Sequence, residues 1–262
     1  MTYATVDLKI ADGVAHITLN RPEAANAIDL TMARELFDAA IRCDAHGDVR
    51  AVVLTGAGRA FSAGGDVRAF AAAGERLPAV LKELTAHLHG AVSRLARMNA
   101  PVIAAVNGVA AGAGMSLACA ADIVLAAESA RFTMAYTRLG FTPDGSSTFF
   151  LARLIGLRRA QELLFTNRML TASEALAWNL VTRVVPDADV SAQAEQLARE
   201  LAAGPTRAFG GVKRLLLAAA STGLETQMEL ETELIADAAC GADGREGPAA
   251  FVAKRPPRFI GT

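Results

Sequence analysis

The chain has 262 residues, of which 26 are Lys or Arg and 27 are Asp or Glu, giving a formal net charge of −1, and only 5% are aromatic. That balance lacks the cationic excess and the stacking surfaces that nucleic-acid binding needs. Although 52% of residues are apolar, no apolar run approaches the ~20 residues that cross a bilayer, and the length suits one large domain, with or without an appended segment. From the N-terminus, residues 6–10 and 14–19 alternate in polarity and turn through Asp12-Gly13, which predicts a hairpin. Asp29 is placed to cap a helix whose Met32, Leu36, Ala40 and Cys43 share one face. Residues 50–55 read as a buried strand running into the loop GAGRAFSAGGD, and residues 81–98 as a helix. A second strand at 101–106 leads into NGVAAGAG, a helix, and a strand at 123–126. Strand, glycine-rich loop, helix, strand thus occurs twice, which predicts an α/β fold with its loops gathered at one end of the strands. After residue 171 the pattern is helical, at 173–178, 190–203, 206–219 and 225–238, with one strand signal at 181–185. This divides the chain into a core over 1–200 and a helical segment over 201–262.

The start, MTYATVDLKI, lacks the basic-then-apolar pattern of an export signal. Cys43, Cys119 and Cys240 have no CxxC spacing and are expected as small buried residues of a cytoplasmic protein, neither disulfides nor metal ligands. His87 and His89 have no third ligand nearby in the sequence, so no metal site is expected.

Two loops carry the chemistry. In residues 56–66 four glycines fall within eleven positions, but Phe61 stands where a dinucleotide fingerprint needs its third glycine. Residues 107–118, NGVAAGAGMSLA, place small residues just ahead of a helix, where backbone N–H groups favour negative charge. One N–H from each loop would serve an enolate or a tetrahedral intermediate. Further along, LGFTPDGSST at 139–148 sets Asp144 in a turn, beside Phe141, Phe149 and Phe150. Pro-Asp-Gly followed by Ser146, Ser147 and Thr148 is ordinary turn and helix-cap chemistry. An acid beside three phenylalanines is also a base with a raised pKa.

The stretches NRPEAANAI, AFSAGGDV, PVIAAVNGVAAGAGMSLACAADIVLAAESARF and AFVAKRPPRF, in that order and spanning essentially the whole chain, resemble the crotonase superfamily, also called the enoyl-CoA hydratase/isomerase family. The resemblance implies a ββα spiral core with a C-terminal helical trimerisation segment, a homotrimer or dimer of trimers, and an acyl-CoA substrate. It implies no resident cofactor, since coenzyme A arrives as part of the substrate. It puts the oxyanion donors on Ala63 and Ala113 and the coenzyme A contacts on Ala24, Gly64, Asp66, Val67 and Lys254. Hydratases of the family carry two glutamates where this chain has Ser116 and Tyr136, and neither substitute is suited to activating water and protonating carbon. The Asp144 turn resembles that of enoyl-CoA isomerases, including the ring 1,2-epoxyphenylacetyl-CoA isomerases, and of 4-chlorobenzoyl-CoA dehalogenases. An isomerase shifting a double bond through a thioester enolate, with Asp144 as proton shuttle, is the leading expectation. A hydratase-like lyase is an alternative, as is an aryl-CoA dehalogenase using Asp144 and His89. In the dehalogenases a tryptophan stands at the position of Tyr136, while His89 also reads simply as a helix-flank residue. From other classes, Ser116 would serve a serine or thioester hydrolase, and a non-catalytic acyl-CoA binder would keep both loops. Arg138 and Arg168 are either substrate contacts or solvated. The acyl pocket is expected to depend on the helical stretch around 70–84.

Overall fold

A computed structural model describes residues 3–262, and its first elements are the expected hairpin, β1 (Val6–Ala11) antiparallel to β2 (Val14–Leu19) through Asp12-Gly13. Helix α1 (Leu30–Ala45) follows, with the Asp29 side chain accepting from Met32 N at 2.8 Å. It buries Met32, Leu36, Ala40 and Cys43 as their spacing requires.

The next segments repeat one plan. Strand β3 (Ala51–Gly56) is followed by β4 (Ala60–Ser62) and the helices α2 (Val67–Ala73) and α3 (Leu77–Arg97). Strand β5 (Val102–Val106) is followed by β6 (Val109–Ala111) and α4 (Ala113–Ala120), and β7 (Ile123–Ala127) by β8 (Arg131–Thr133). In each unit the first strand enters a six-stranded sheet and the second a four-stranded one. Helices α5 (Ser147–Ile155) and α6 (Leu157–Thr166) then lead to β9 (Leu170–Thr171), α7 (Ala172–Ala177) and β10 (Arg183–Val185). The large sheet runs β1-β2-β3-β5-β7-β10 and the small one β4-β6-β8-β9, with β2 to β10 parallel and β4, β6 and β8 parallel. This is the ββα spiral. Strands β4 and β6 lie inside stretches that read as loops in the sequence, because three residues are too few to show a period.

Between sheet and helices sit fully buried Ile17, Leu19, Leu36, Leu54, Leu88 and Ile103, each contributing about 1.5–3 kcal/mol by leaving water. Cys43 and Cys119 are buried, and burial pushes both thiols up to about 12. Cys240 is exposed, contrary to expectation, because the helix that carries it buries none of its residues.

The C-terminal helices are α8 (Val190–Ala202), α9 (Thr206–Ala218), α10 (Leu224–Cys240) and α11 (Ala242–Val252). Helix α8 packs on β2, β3, β5 and β7 and belongs to the core. The expected division at 200 therefore falls inside its last turn, and the break in structure is the link 203–205. Helix α9 is tied down by Lys213. Its Nζ lies 2.7 Å from Asp122 Oδ2 and donates to the carbonyls of Leu95 (2.8 Å) and Ala100 (3.1 Å). Helix α10 leaves Leu224, Met228 and Ile235 exposed.

Lys213 is buried and the Asp122 side chain partly so, and removing one member of this pair leaves the other's charge without its partner. Lys213→Met is expected to lower stability by about 3 kcal/mol in urea unfolding, and adding Asp122→Asn to restore part of the loss. An unchanged midpoint for Lys213→Met would show that the pair does not hold α9.

Candidate active site

The parallel pairing of β4 with β6 brings their two glycine-rich ends into contact. Gly64 has φ +90°, and a Cβ there would lie 2.7 Å from the Ala111 carbonyl oxygen. A Cβ on Gly114 would lie 2.5 Å from the Ser62 carbonyl oxygen. No side chain fits between the loops at either point. Asn26, fully buried, braces the first loop from behind: its Nδ2 donates to Ala57 O (2.9 Å) and Ala60 O (2.8 Å), and its Oδ1 accepts from Arg21 N (2.9 Å).

The hydrogen bonds of these loops move one predicted donor. Ala63 N–H is engaged by Ala25 O at 2.9 Å, Gly64 N–H by Ser62 Oγ at 3.2 Å, and Asp66 N–H by Ile28 O at 2.9 Å. Gly65 N–H has no acceptor among the described residues. Nor has Ala113 N–H, at the first position of α4, where the intrahelical bonding begins with Ser116 N–H to Gly112 O at 3.0 Å. Gly65 and Ala113 both line a cavity of about 600 Å³. The free pair is therefore Gly65 with Ala113, and Ala63 is excluded by its bond to Ala25.

Asp144 lies on the wall of the same cavity, half-buried. The turn reading holds for its backbone, since Ser147 N–H donates to Asp144 O at 3.1 Å. Ser146 occupies the N-cap position of α5 but at φ +65°, with its hydroxyl turned to Gly145 O instead of capping the helix. The carboxylate accepts from Tyr136 Oη at 2.5 Å through Oδ1. Ser116, fully buried, has its Oγ 3.1 Å from Asp144 O, 3.1 Å from Tyr136 Oη and 3.2 Å from Gly112 O. His89 Nε2 accepts from Gly145 N–H at 3.1 Å, so this nitrogen is unprotonated and the histidine is more than a helix-flank residue. Burial pushes the Asp144 carboxyl above the ordinary range, while the Tyr136 hydrogen bond pulls it back. Burial, with the adjacent carboxylate, also pushes the Tyr136 phenol up.

The apolar wall differs from expectation. Phe141 lines the cavity and meets Phe70 edge-on, with ring centroids 6.3 Å apart. Leu81 and Leu84 add to it from α3. Phe149 instead lies exposed under the Arg153 guanidinium, 3.6 Å from its ring, and Phe150 packs on Phe149 and the core. Both belong to α5, which carries them away from Asp144.

Among the predicted coenzyme A contacts, Val67 lines the cavity, whereas Ala24 and Lys254 do not. Asp66 caps α2 through Arg68 N and Ala69 N, both at 3.1 Å, and pairs with Arg21 at 3.0 Å. Burial alone would raise its pKa, but the bonds from Ala69 and Arg21 outweigh it and hold the group below the ordinary carboxylate range. Arg138 stands at the cavity wall and donates to Asn167 O at 3.1 Å. Arg168 does not line the cavity and is partly buried: it pairs with Glu174 and lies 5.1 Å from the Trp178 ring. His87 packs near Phe37, and among the described residues no group of three His, Cys, Asp or Glu forms a metal site. The sequence reading missed Gly65, whose only signal is that it follows the glycine used in packing, and missed the brace by Asn26 and Arg21.

Because its folded pKa is raised, ionised Asp144 destabilises the folded state at neutral pH, and the penalty vanishes below the ordinary value of 3.8, where the carboxyl is neutral in both states. Asp144→Asn is thus expected to gain thermal stability over the parent as pH rises from about 4 to 7. A melting-temperature difference that does not grow with pH over this range would contradict the raised pKa.

The sequence pattern of the enoyl-CoA hydratase/isomerase family matches residues 9–262. Over 261 residues, 100% of both chains, the protein is 44% identical to a Rhodobacter capsulatus protein named as a probable enoyl-CoA hydratase. Over 254 residues, 96% of this chain and 97% of the other, it is 41% identical to the 1,2-epoxyphenylacetyl-CoA isomerase of Escherichia coli. The crystal structure of an enoyl-CoA hydratase from Polaromonas sp. superposes with a TM-score of 0.92 at 33% identity, covering 97% of this chain and 99% of that one. With its ββα spiral and its two crossing loops, the chain belongs to the enoyl-CoA hydratase/isomerase family.

Proposed function

We propose that the protein is an enoyl-CoA isomerase that moves the double bond of a 3-enoyl-CoA thioester into conjugation. The observation that carries this reading is that Asp144 is the one carboxylate among the described residues lining the cavity. Hydration needs one group to activate water and another to protonate carbon, whereas a 1,3-proton shift needs a single base that gives back what it takes. Asp144 removes a proton from C2, and the electron pair of that C–H bond moves into the thioester, forming a dienolate. The N–H groups of Gly65 and Ala113 bind its oxygen, an interaction that strengthens as charge develops there. The protonated Asp144 then delivers the proton to C4, leaving the double bond between C2 and C3 and the carboxylate regenerated. Val67, Phe70, Leu81 and Phe141 supply apolar contact to the acyl group and keep water from the base.

The rival chemistries find less support. Ser116 Oγ has no bonded imidazole to take its proton, and its neighbours are two carbonyls and a phenol. His89 is occupied by Gly145 N–H, which removes the free base that an aryl-enzyme intermediate would need. Assembly as a homotrimer or dimer of trimers is part of this proposal. It is supported by α10, none of whose residues is fully buried within the chain, and by Phe251 and Val252, 85% and 82% exposed at the end of α11. Coenzyme A enters as part of the substrate, with no further cofactor.

Asp144→Asn keeps the shape of the base and removes its basicity. Turnover of 3-enoyl-CoA substrates is expected to fall by roughly 10²–10⁴ with acyl-CoA binding little changed. Ser116→Ala should retain most activity. Undiminished turnover in Asp144→Asn would exclude the shuttle. Loss of turnover in Ser116→Ala, together with labelling by a serine-reactive phosphonate, would favour the hydrolase.

A further inference from the structure

We infer that Tyr136 is a positioning residue for Asp144: backed by Ser116, it pins one carboxylate oxygen so that the other alone faces the substrate. The inference rests on Asp144 being the base. Tyr136 Oη lies 2.5 Å from Oδ1, whereas Oδ2 has no hydrogen-bond partner among the described residues. An ionised carboxylate only accepts, so the proton in this bond comes from the phenol, and its direction is fixed.

The backbone aims the phenol through an uncommon conformation. Ala135 has φ +52°, and Tyr136 N–H donates to Met134 O at 2.7 Å, closing a three-residue γ-turn just past the end of β8. A non-glycine residue in the left-handed region costs of order 1 kcal/mol and persists where its surroundings over-determine it. Those surroundings are Gly112 N–H, bonded to Thr133 O at 3.0 Å, and the Ser116 hydroxyl behind the phenol. The Asp144 turn is thereby held at two atoms by side chains from two segments, the carboxylate by Tyr136 and the following N–H by His89, while the single Ser116 proton lies within reach of the phenol oxygen and of the Asp144 and Gly112 carbonyls.

Tyr136 is not a replacement for a missing acid. Its phenol is pushed further from the physiological range by burial and by the carboxylate beside it, so it protonates no carbon at neutral pH. What a donor at this distance does is favour the ionised form of Asp144 and remove the freedom of the carboxylate to rotate. Since the same oxygen must reach C2 and then C4, a rotating carboxylate would present it correctly only part of the time.

The test is the pH dependence of kcat and KM with a 3-enoyl-CoA, for the parent, for Tyr136→Phe and for a 3-fluorotyrosine enzyme. The chain has two tyrosines, Tyr3 and Tyr136, so biosynthetic fluorotyrosine in a Tyr3→Phe background labels Tyr136 alone. In Tyr136→Phe, kcat is expected to fall about 10–100-fold with KM changed less than about threefold. The acid limb of kcat moves to higher pH, because the bond favouring the carboxylate is gone. The fluorotyrosine enzyme keeps the shape and donates more strongly, so its acid limb moves to lower pH; this arm decides the matter if Tyr136→Phe folds poorly. Acid limbs unmoved in the folded Tyr136 enzymes, with kcat at the parent level, would overturn the positioning role while leaving the base intact, provided Asp144→Asn is inactive. An active Asp144→Asn would remove the base itself, and the inference would fall with it.

Discussion

Two backbone segments pass so closely at Gly64 and Gly114 that neither position admits a Cβ, and the rest of the site is built on that crossing. The approach is set by the parallel pairing of β4 with β6, two strands of three residues each. It leaves an unengaged N–H from each loop at the cavity wall, at Gly65 and Ala113. It also starts α4 at the cavity, so that Ser116, about one turn along, lies beneath the Asp144 turn. Donors, serine and base are thus linked through one piece of packing, and a side chain at either glycine would displace all of them together.

The cavity region also shows how environment divides labour between two aspartates. Asp66 caps α2 and pairs with Arg21, and its pKa is held low. It is a charged brace, at neutral pH, for the loop that carries Gly65. Asp144 has no cation bonded to it, one donor on one oxygen, and a pKa raised by burial. A carboxylate that must gain and lose a proton in each turnover requires the second environment, since a strongly paired acid is a weak base.

Much of this organisation was legible in the sequence, and the misses share a physical cause. The hairpin, the Asp29 cap, the amphipathic helices and the two strand-loop-helix units follow from periodicity and turn chemistry, which are local. The motifs led to the family and to Asp144 and Ala113 as residues at the cavity. What the sequence could not show depends on partners distant in the chain. Ala63 and Gly65 are both small residues in one loop, and only the bond from Ala63 to Ala25 distinguishes them. Phe149 and Phe150 adjoin Asp144 in sequence, but the onset of α5 turns them from the cavity, and Phe70 meets Phe141 from α2. Tyr136 and Ser116, read first as absent glutamates, are bonded to each other and to the base, which no spacing rule predicts.

The central claim is that the Gly65 and Ala113 N–H groups jointly bind the thioester oxygen while Asp144 faces the adjacent carbon. The most direct measurement is a crystal structure with a saturated acyl-CoA thioester. The account predicts the thioester oxygen roughly 2.7–3.1 Å from both nitrogens, with C2 within van der Waals reach of Asp144 Oδ2. A thioester oxygen in bulk solvent, or bound to Ala63 N–H after release of Ala25, would contradict it.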